Sequence, residues 1–395
     1  MGAALGAAQL PRVAIVDGGL LGAQGGMGQV MSPMLEALEQ AAGSRCVILT
    51  EDGRRFSSVH DARPVTSLAS RARRRLVRDT QERTSLPLLR WLTGTYDIYY
   101  HVGLGLRPRV PFERLILSVH DIIGLRWPDE PAYPSWAGDV IHRAARITTV
   151  SEFSKRELCQ QFRLPDDRVT VLYNGCDHRR FHPQPSADDA RIHDIVGNGP
   201  YILCAGGQTR RKNVVSLLRA FARFQEAADA RYRLVITGVN PRSDVGAGYR
   251  AASHDAGIGE TVILTGYLHD DTIPSLYRGA TAVAVPSLYE GFGLPVVEAM
   301  ACGTPTLVSD ASSLPEVAGD AALSVDARST EALAAGLERI TGDEPLRAAL
   351  RRKGLARAST FTWQRCAEET VAVFREVAAR ADKAGTERSR ARRSA

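Results

Sequence analysis

Several features of membrane, secreted and zinc-binding proteins are missing from this 395-residue sequence. No apolar run approaches the roughly 20 residues of a membrane-spanning helix, and the first residues lack the basic and apolar segments of a signal peptide. The six cysteines form no Cys-x-x-Cys pair, so the sequence suggests neither a disulfide framework nor a zinc site. These absences predict a cytoplasmic protein.

Two catalytic signatures are also absent. The chain has no Gly-x-Ser-x-Gly segment, which argues against the nucleophile elbow of a Ser-His-Asp hydrolase. Glycines do follow the first apolar strand, but Gly26-Met-Gly28 has no third glycine at the spacing of a dinucleotide-binding loop. We interpret Gly25, Gly26 and Gly28 as a loop that approaches a ligand closely, or as a mobile lip, before a helix that begins at about Gln29.

The net charge of +6 results from 50 Lys and Arg against 44 Asp and Glu, and it is unevenly distributed. Arginines crowd residues 54–90 and the tail 380–393. Both regions are interpreted as solvated basic surface, and the tail is predicted to be disordered beyond about Ala381. A sharper hypothesis is that Arg71–Arg78 contacts anionic lipid headgroups or an anionic acceptor, which would hold the protein at the inner face of a membrane. Nucleic-acid binding is disfavoured, because the basic run has no interleaved aromatic residues.

Short apolar segments alternate with helical segments in two series, which predicts an α/β fold with mostly parallel sheets. A polar, irregular stretch at about 178–199 separates the series. We therefore predict two doubly wound, Rossmann-like domains that face a central cleft, residues 1–180 and 198–362, followed by a basic disordered tail at 381–395. The predicted strands are 13–16, 46–50, 98–101, 115–119, 147–150, 169–172, 201–205, 232–236, 261–264, 281–285, 305–308 and 322–325.

The stretch from Ala282 to Pro305 combines a buried strand, a glycine loop and a helix N-terminus. This arrangement binds phosphate, because the first-turn N–H groups of a helix have no partners within it and carry partial positive charge. Glu290 lies in the loop, and Glu298 is predicted in the first turn of the helix that Pro295 opens. A capping role for Glu298 is weak, since no Ser or Thr stands three residues before it, so a ligand-facing role is favoured.

Two further groups follow predicted strands. Arg211 and Lys212 precede the helix predicted at 214–227, where charge and helix dipole together favour an anion; a plain surface pair is the alternative. His120 and Asp121 follow strand 115–119, at the edge where ligands bind in doubly wound sheets. A lone histidine is often structural, but this position favours a functional one.

The spacing Glu290-x7-Glu298 and its surroundings resemble the retaining GT-B glycosyltransferases of family 4, the group 1 glycosyltransferases, and particularly their mannosyltransferases. The resemblance covers both predicted domains and is strongest from Pro200 to Asp326. It is carried by the segments PSLYEGFGLPVVEAMACGTPTLVSDASSLPEVAGDAALSVD, AGGQTRRKN, VSEFSKREL, VLYNGCD, TGYLHDDTIPSLYRGA and SVHDI.

The resemblance implies an acceptor site on the N-terminal domain and a nucleotide-sugar site on the C-terminal domain. The loop with Gly25, Gly26 and Gly28 would then lie on the acceptor side of the cleft. It implies that the last helix, 363–380, crosses back to complete the N-terminal domain. Lys212 with Arg211 would hold the donor diphosphate, and Glu298 would bind the ribose hydroxyls. The remaining donor contacts implied are Glu290 on the transferred sugar, His120 on the sugar near the reacting carbon, Tyr267 and Leu268 at the base, and the amides of Gly291, Phe292, Gly293 and Leu294 at the sugar and phosphate.

The implied reaction transfers a hexose to a glycan or lipid-linked saccharide, with no metal and no cofactor beyond the nucleotide-sugar donor. Mannose from GDP-mannose is the first expectation, based on the GGxxxRKN and SSLPEVAGDAA segments; UDP- or dTDP-sugars are alternatives. A sugar-nucleotide epimerase or another GT-B enzyme is the rival reading, ahead of a basic binding protein. One departure from the family is Gly207, where many members carry Arg, and we expect Arg210 or Arg211 to compensate.

Overall fold

The computed structural model describes residues 11–17, 26–42, 46–49, 55–56, 96–104, 107–108, 110–228 and 230–393. These residues form two mainly parallel sheets with helices packed against them. Gly25 and Arg71–Arg78, which the sequence singled out, lie outside the described residues.

The first sheet has the strand order β3-β2-β1-β4-β5-β6-β7, and all of its pairs are parallel except the short β2–β3 pair. Its strands are β1 Val13–Asp17, β2 Cys46–Leu49, β3 Arg55–Phe56, β4 Ile98–Val102, β5 Leu115–Ser118, β6 Arg146–Thr149 and β7 Val169–Val171. The helices described with this sheet are α1 Gly26–Ala42, α2 Ile123–Arg126, α3 Ala137–Arg143 and α4 Glu152–Phe162.

The second sheet is fully parallel, with the order β10-β9-β8-β11-β12-β13. Its strands are β8 Tyr201–Cys204, β9 Arg233–Ile236, β10 Val262–Leu264, β11 Ala282–Val285, β12 Thr306–Ser309 and β13 Leu323–Val325. The helices from the linker onwards are α5 Ile192–Val196, α6 Val214–Ala227, α7 Asp244–Asp255, α8 Ile273–Gly279, α9 Leu294–Ala301, α10 Leu314–Ala318, α11 Thr330–Gly342, α12 Glu344–Ala358 and α13 Trp363–Arg393.

The predicted strands agree with the structure to within one residue at each described end, and α6 has the predicted bounds. The agreement has a physical cause: strands of a parallel sheet are covered on both faces, so they are continuous apolar runs that end at polar or glycine residues. β4, β5, β8 and β11 are buried along their whole length. The two-residue β3 was not predicted, since a segment that short carries no periodic signal.

Helix α13 leaves the second sheet and packs along α1 beside the first. Phe374 is fully buried there, with its ring 5.2 Å from that of Tyr100, in a cluster that also contains Leu38 and Val377. The chain crosses between the two sheets twice, near Cys176 and near Thr362. The two crossing segments lie side by side, and these residues form a parallel β-bridge.

The end of α13 differs from the prediction of a disordered tail from Ala381 onward. The helix continues to Arg393, Ala381 is buried, and Asp382 forms an ion pair with Arg114 at 2.7 Å. The tail is rich in Ala and Arg, which favour helix, and it contains no proline that would stop one. The tail therefore continues the helix whose first part is packed in the core, although the tail itself has few apolar residues. In the described part of the chain, no helix is long and apolar enough to cross a membrane.

Candidate active site between the two sheets

The loop between β11 and α9 has the strand, loop and helix arrangement that the sequence predicted. Gly293 precedes the helix with φ +108°, in the left-handed region, and a Cβ there would lie 2.7 Å from the Leu314 side chain. Glycine is required on both grounds. Pro295 lies in the first turn of α9, where its missing N–H costs nothing. The Glu290 loop therefore leads directly into the N-terminus of α9, whose first-turn N–H groups lie next to it.

Glu290 lies in this loop and is bound by two cations. Its Oε1 accepts a hydrogen bond from Lys212 Nζ at 2.6 Å, and its Oε2 accepts one from Arg211 Nη1 at 2.9 Å. Only 9% of its side chain is exposed. Burial alone would raise the pKa of Glu290, but Lys212 and Arg211 outweigh it and lower that pKa below the usual range. Glu290 is therefore an ionised carboxylate with both oxygens engaged.

Arg211 and Lys212 belong to a 3-10 turn, Arg210–Lys212, that leads into α6. Asn213 follows in the left-handed region, with φ 57°, and its Nδ2 donates to the carbonyl oxygens of Pro286 at 3.2 Å and Ala327 at 2.7 Å. The N–H of Leu288 donates to the Arg211 carbonyl at 2.7 Å. These bonds join the basic turn to the Glu290 loop, so the predicted anion site and the predicted phosphate loop form one site.

The structure leaves little room for a side chain at Gly207. A Cβ at this position would lie 3.0 to 3.2 Å from the side chains of Val214, Ile236 and Val239. Of the two candidates to replace the arginine, Arg210 has an exposed side chain, whereas Arg211 is committed to carboxylates. That Arg210 or Arg211 compensates for Gly207 stays a prediction.

His120 and Asp121 reach the Glu290 loop from the first sheet. A Cβ on Gly291 would lie 2.6 Å from Asp121 Oδ2 and 3.2 Å from the His120 carbonyl oxygen, so only glycine fits at that point. Burial lowers the pKa of His120 to about 4, which keeps its imidazole neutral at physiological pH. Burial raises the pKa of Asp121, and Asp121 Oδ1 accepts the N–H of Ile123 at 3.0 Å. The strand-end pair thus lies at the carboxyl edge of the first sheet and against the Glu290 loop.

The start of α4 holds the same loop. Ser151 and Ser154 are fully buried, and their hydroxyls donate to the Gly291 carbonyl at 2.6 and 3.1 Å. Glu316, from α10, accepts the N–H groups of Glu152 at 2.7 Å and Phe153 at 3.0 Å. The serines and Glu316 lie in segments that carry the family resemblance, VSEFSKREL and SSLPEVAGDAA, but the sequence assigned no role to Glu316. Its partners lie 163 and 164 residues away in the chain, beyond any local pattern.

Glu298 is the fifth residue of α9, so it lies in the second turn and not in the first as predicted. It does not cap the helix; its Oε2 accepts a hydrogen bond from the hydroxyl of Tyr277 at 2.9 Å. Burial raises the pKa of Glu298, and the Tyr277 hydrogen bond opposes part of that rise. The capping alternative is excluded, and the carboxylate keeps acceptor capacity for a ligand.

The residues expected at the base follow β10. Tyr267 is 62% exposed, and its hydroxyl accepts a hydrogen bond from Gln208 Nε2 at 2.8 Å. Leu268 is half-buried against the core of the second sheet. Gln208 carries no motif signal of its own, and only the structure associates it with Tyr267.

The glycines expected at the acceptor side are placed differently from the prediction. Gly26 and Gly28 lie in the first turn of α1, so the helix begins before Gln29. The first-turn amides of a helix have no intrahelical partners, so glycine is less costly there than in a helix interior. Within the described ranges, no group of three or more His, Cys, Asp or Glu residues is placed to hold a metal ion.

Two family models cover most of the chain. The model described as Glycosyltransferase Family 4 matches residues 24–180, and the one described as Glycosyl transferases group 1 matches residues 186–357. The O-antigen chain mannosyltransferase B of Escherichia coli is 30% identical over 299 residues, which cover 72% of this chain and 76% of that protein.

A second relative is the MMP alpha-(1->4)-mannosyltransferase of Mycolicibacterium hassiacum. It is 31% identical over 270 residues, which cover 66% of this chain and 62% of that protein. Among solved structures, sucrose-phosphate synthase from Thermosynechococcus elongatus superimposes with a TM-score of 0.71 at 20% identity. That superposition covers 93% of this chain and 99% of the other.

Proposed function

The chain belongs to the group 1 glycosyltransferases of family 4, with the two Rossmann-like domains of the GT-B fold, and we propose that it is a retaining mannosyltransferase. In this proposal it moves mannose from GDP-mannose to a glycan or lipid-linked saccharide. The observation that carries the proposal is Glu290, an ionised carboxylate held by Lys212 and Arg211 beside the N-terminus of α9. Fixed carboxylate acceptors suit sugar hydroxyls, and a cation beside a helix N-terminus suits a leaving diphosphate.

The leaving group needs stabilisation as the glycosidic phosphate bond breaks, because negative charge grows on the diphosphate. Lys212 Nζ and the first-turn amides of α9 supply fixed positive charge there without reorganisation. We propose that the amides of Gly291 to Leu294 approach the sugar and phosphate, while Glu298 binds the ribose hydroxyls. In this proposal Lys212 and these amides take the part that a metal ion plays in stabilising a leaving diphosphate.

Glu290 is suited to hold substrate and not to attack it. Both of its oxygens are already hydrogen-bonded to cations, which leaves their lone pairs less available for attack on a sugar carbon. His120, neutral at physiological pH, is proposed to hydrogen-bond the donor sugar near the reacting carbon without adding charge beside Lys212. These properties favour a reaction on one face of the sugar through an oxocarbenium-like state, with no protein nucleophile.

Mannose is supported by the names of both relatives and by the GGxxxRKN segment. The test is a panel of GDP-, UDP- and dTDP-sugars with purified protein and mannose-terminated acceptors, with the product anomer read by NMR. We expect transfer from GDP-mannose and an α-linked product, which retains the donor configuration. An inverted product would overturn the retaining mechanism, and exclusive use of another donor would overturn mannose. A changed sugar nucleotide in the absence of acceptor would instead support an epimerase.

A further inference from the structure

Glu130 brings a third charged group to the ion pairs around Glu290. It belongs to the segment between α2 and α3, on the side of the first sheet, and its Oε1 accepts a hydrogen bond from Arg211 Nε at 2.6 Å. The side chains of Glu130, Arg211 and Glu290 are 12%, 16% and 9% exposed. The guanidinium of Arg211 therefore lies between a carboxylate of each domain, largely shielded from water.

The neighbouring residue strengthens this contact. Asp129 Oδ2 accepts the backbone N–H of Arg210 at 3.0 Å, so consecutive acidic residues bind consecutive residues of the basic turn. The acidic segment is itself turned back, because the N–H of Glu130 donates to the Trp127 carbonyl at 3.1 Å. Two contacts from a single turn fix the position of Arg211 better than one flexible ion pair does.

Arg211 transmits this position to the loop that holds Glu290. Its Nη1 donates to the Tyr289 carbonyl at 3.1 Å as well as to Glu290 Oε2 at 2.9 Å. A planar guanidinium with Nε and Nη1 both engaged has one orientation, so it cannot turn towards a diphosphate without releasing a carboxylate. Within the part of the chain that the structure describes, Lys212 forms an ion pair with Glu290 alone, so a diphosphate can approach it without breaking a contact to a second carboxylate.

We propose that Glu130 is a positioning residue: it holds Arg211 across the domain boundary, and Arg211 in turn orients Glu290 towards the donor sugar. Because Glu130 and Glu290 lie on different domains, the correct orientation of Glu290 depends on the two domains being together. This inference rests on the proposed role of Glu290 in holding the transferred sugar. It assigns to Glu130 no contact with substrate.

A double-mutant cycle with Glu130→Ala, Arg211→Ala and the double variant tests the proposal, using whichever sugar nucleotide the wild-type enzyme transfers. We expect Glu130→Ala to lower kcat on the order of 10–100-fold, the scale of a small misplacement of a substrate-holding group. The Kd for the nucleoside diphosphate, measured by calorimetry, should change by less than about threefold, since Glu130 is proposed to contact neither the diphosphate nor the ribose. In the Arg211→Ala background, Glu130→Ala should cause no further loss.

Glu130→Gln keeps an oxygen that accepts the Nε–H and should recover part of kcat. Glu113→Ala, which removes an exposed carboxylate from the same domain, serves as the matched control and should be neutral. Equal losses from Glu130→Ala with and without Arg211 would overturn the proposal, because Glu130 would then act by another route. A wild-type enzyme that prefers another donor would refute the mannose assignment alone, since the cycle can be run with that donor.

Discussion

The pair Tyr277 and Glu298 shows how one neighbour tunes a buried acid. Tyr277 is almost wholly buried in α8, and its hydroxyl is placed on Glu298 Oε2. Burial disfavours the charged carboxylate and raises its pKa, whereas a hydrogen bond donated to the carboxylate stabilises the ion and lowers that pKa. Burial outweighs this hydrogen bond and the nearby cations Arg180 and Lys212, so the pKa of Glu298 lies above that of an ordinary glutamate.

Replacing Tyr277 by Phe should shift the pH dependence of nucleotide binding. Without the hydroxyl the pKa of Glu298 rises further, so the carboxylate is protonated at a higher pH than in the wild type. If ionised Glu298 binds the ribose, affinity falls as pH falls through this pKa, and the fall should begin at higher pH in Tyr277→Phe. Calorimetric titration with GDP between about pH 4.5 and 8 would measure it, around the usual glutamate range.

Tyr232→Phe is the control for that experiment, because it removes a hydroxyl from the same domain without touching Glu298. The role of Glu298 would be contradicted if GDP affinity had the same pH dependence in Tyr277→Phe as in the wild type. It would also be contradicted if the fall in affinity began at lower pH in Tyr277→Phe.

At the same scale, the residues that could be predicted are those with a local pattern. Glu290 and Glu298 were recognisable because a strand, a glycine loop and a helix surround them within a few residues. Glu130 was not recognisable, because its proposed role depends on a contact with Arg211, which is 81 residues away and in the other domain. Charged pairs between domains carry no periodicity, so a single sequence does not reveal them.

Helix α4 illustrates an element whose stability depends on the opposite domain. The Ser151 hydroxyl caps the helix by accepting the N–H of Ser154 at 3.0 Å. The carboxylate of Glu316 accepts the two N–H groups between them, those of Glu152 and Phe153. Arg357 holds the backbone of Glu316 in place, because its guanidinium donates to the carbonyls of Glu316 and Val317 at 2.8 and 2.9 Å. Because unsatisfied first-turn amides are costly, α10 stabilises α4 across the domain boundary.

Glu316→Ala should therefore destabilise the protein by about 1–2 kcal/mol, the usual cost of losing a charged cap. Urea unfolding followed by circular dichroism would measure the change. Glu338→Ala, an exposed glutamate of α11, should stay within about 0.5 kcal/mol of the wild type, as surface substitutions do. Equal effects of the two substitutions would mean that the cap contributes nothing.

The whole molecule is joined by α13, which starts beyond the second sheet and completes the core beside the first. Its apolar face, including Phe374 and Val377, was predictable from helical periodicity, but the place where it packs was not. That place was implied only by family resemblance, since periodicity states which face is buried and not against what. The extension to Arg393 was missed because composition alone argued for disorder.

Phe374→Ala should cost about 3–5 kcal/mol, because it removes a fully buried ring and leaves a cavity against Tyr100. A stop codon after Asp382 should leave the stability nearly unchanged, because the last turns of α13 described beyond that point are exposed. Thermal and urea unfolding of both variants would distinguish the packed part of the helix from its extension. A large loss on truncation would show that the basic turns contribute to folding.

The route of α13 also bears on biosynthesis. Leu35 and Leu38 of α1 are made early, yet the residues that cover them, from Trp363 to Ala378, are made more than 300 residues later. The second sheet, whose strands lie between Tyr201 and Val325, emerges from the ribosome in the interval, and its core clusters contain no residue of α13. The N-terminal domain is therefore the last to be completed, against the usual order of domain folding during synthesis. During that interval the apolar face of α1 is open to chaperones.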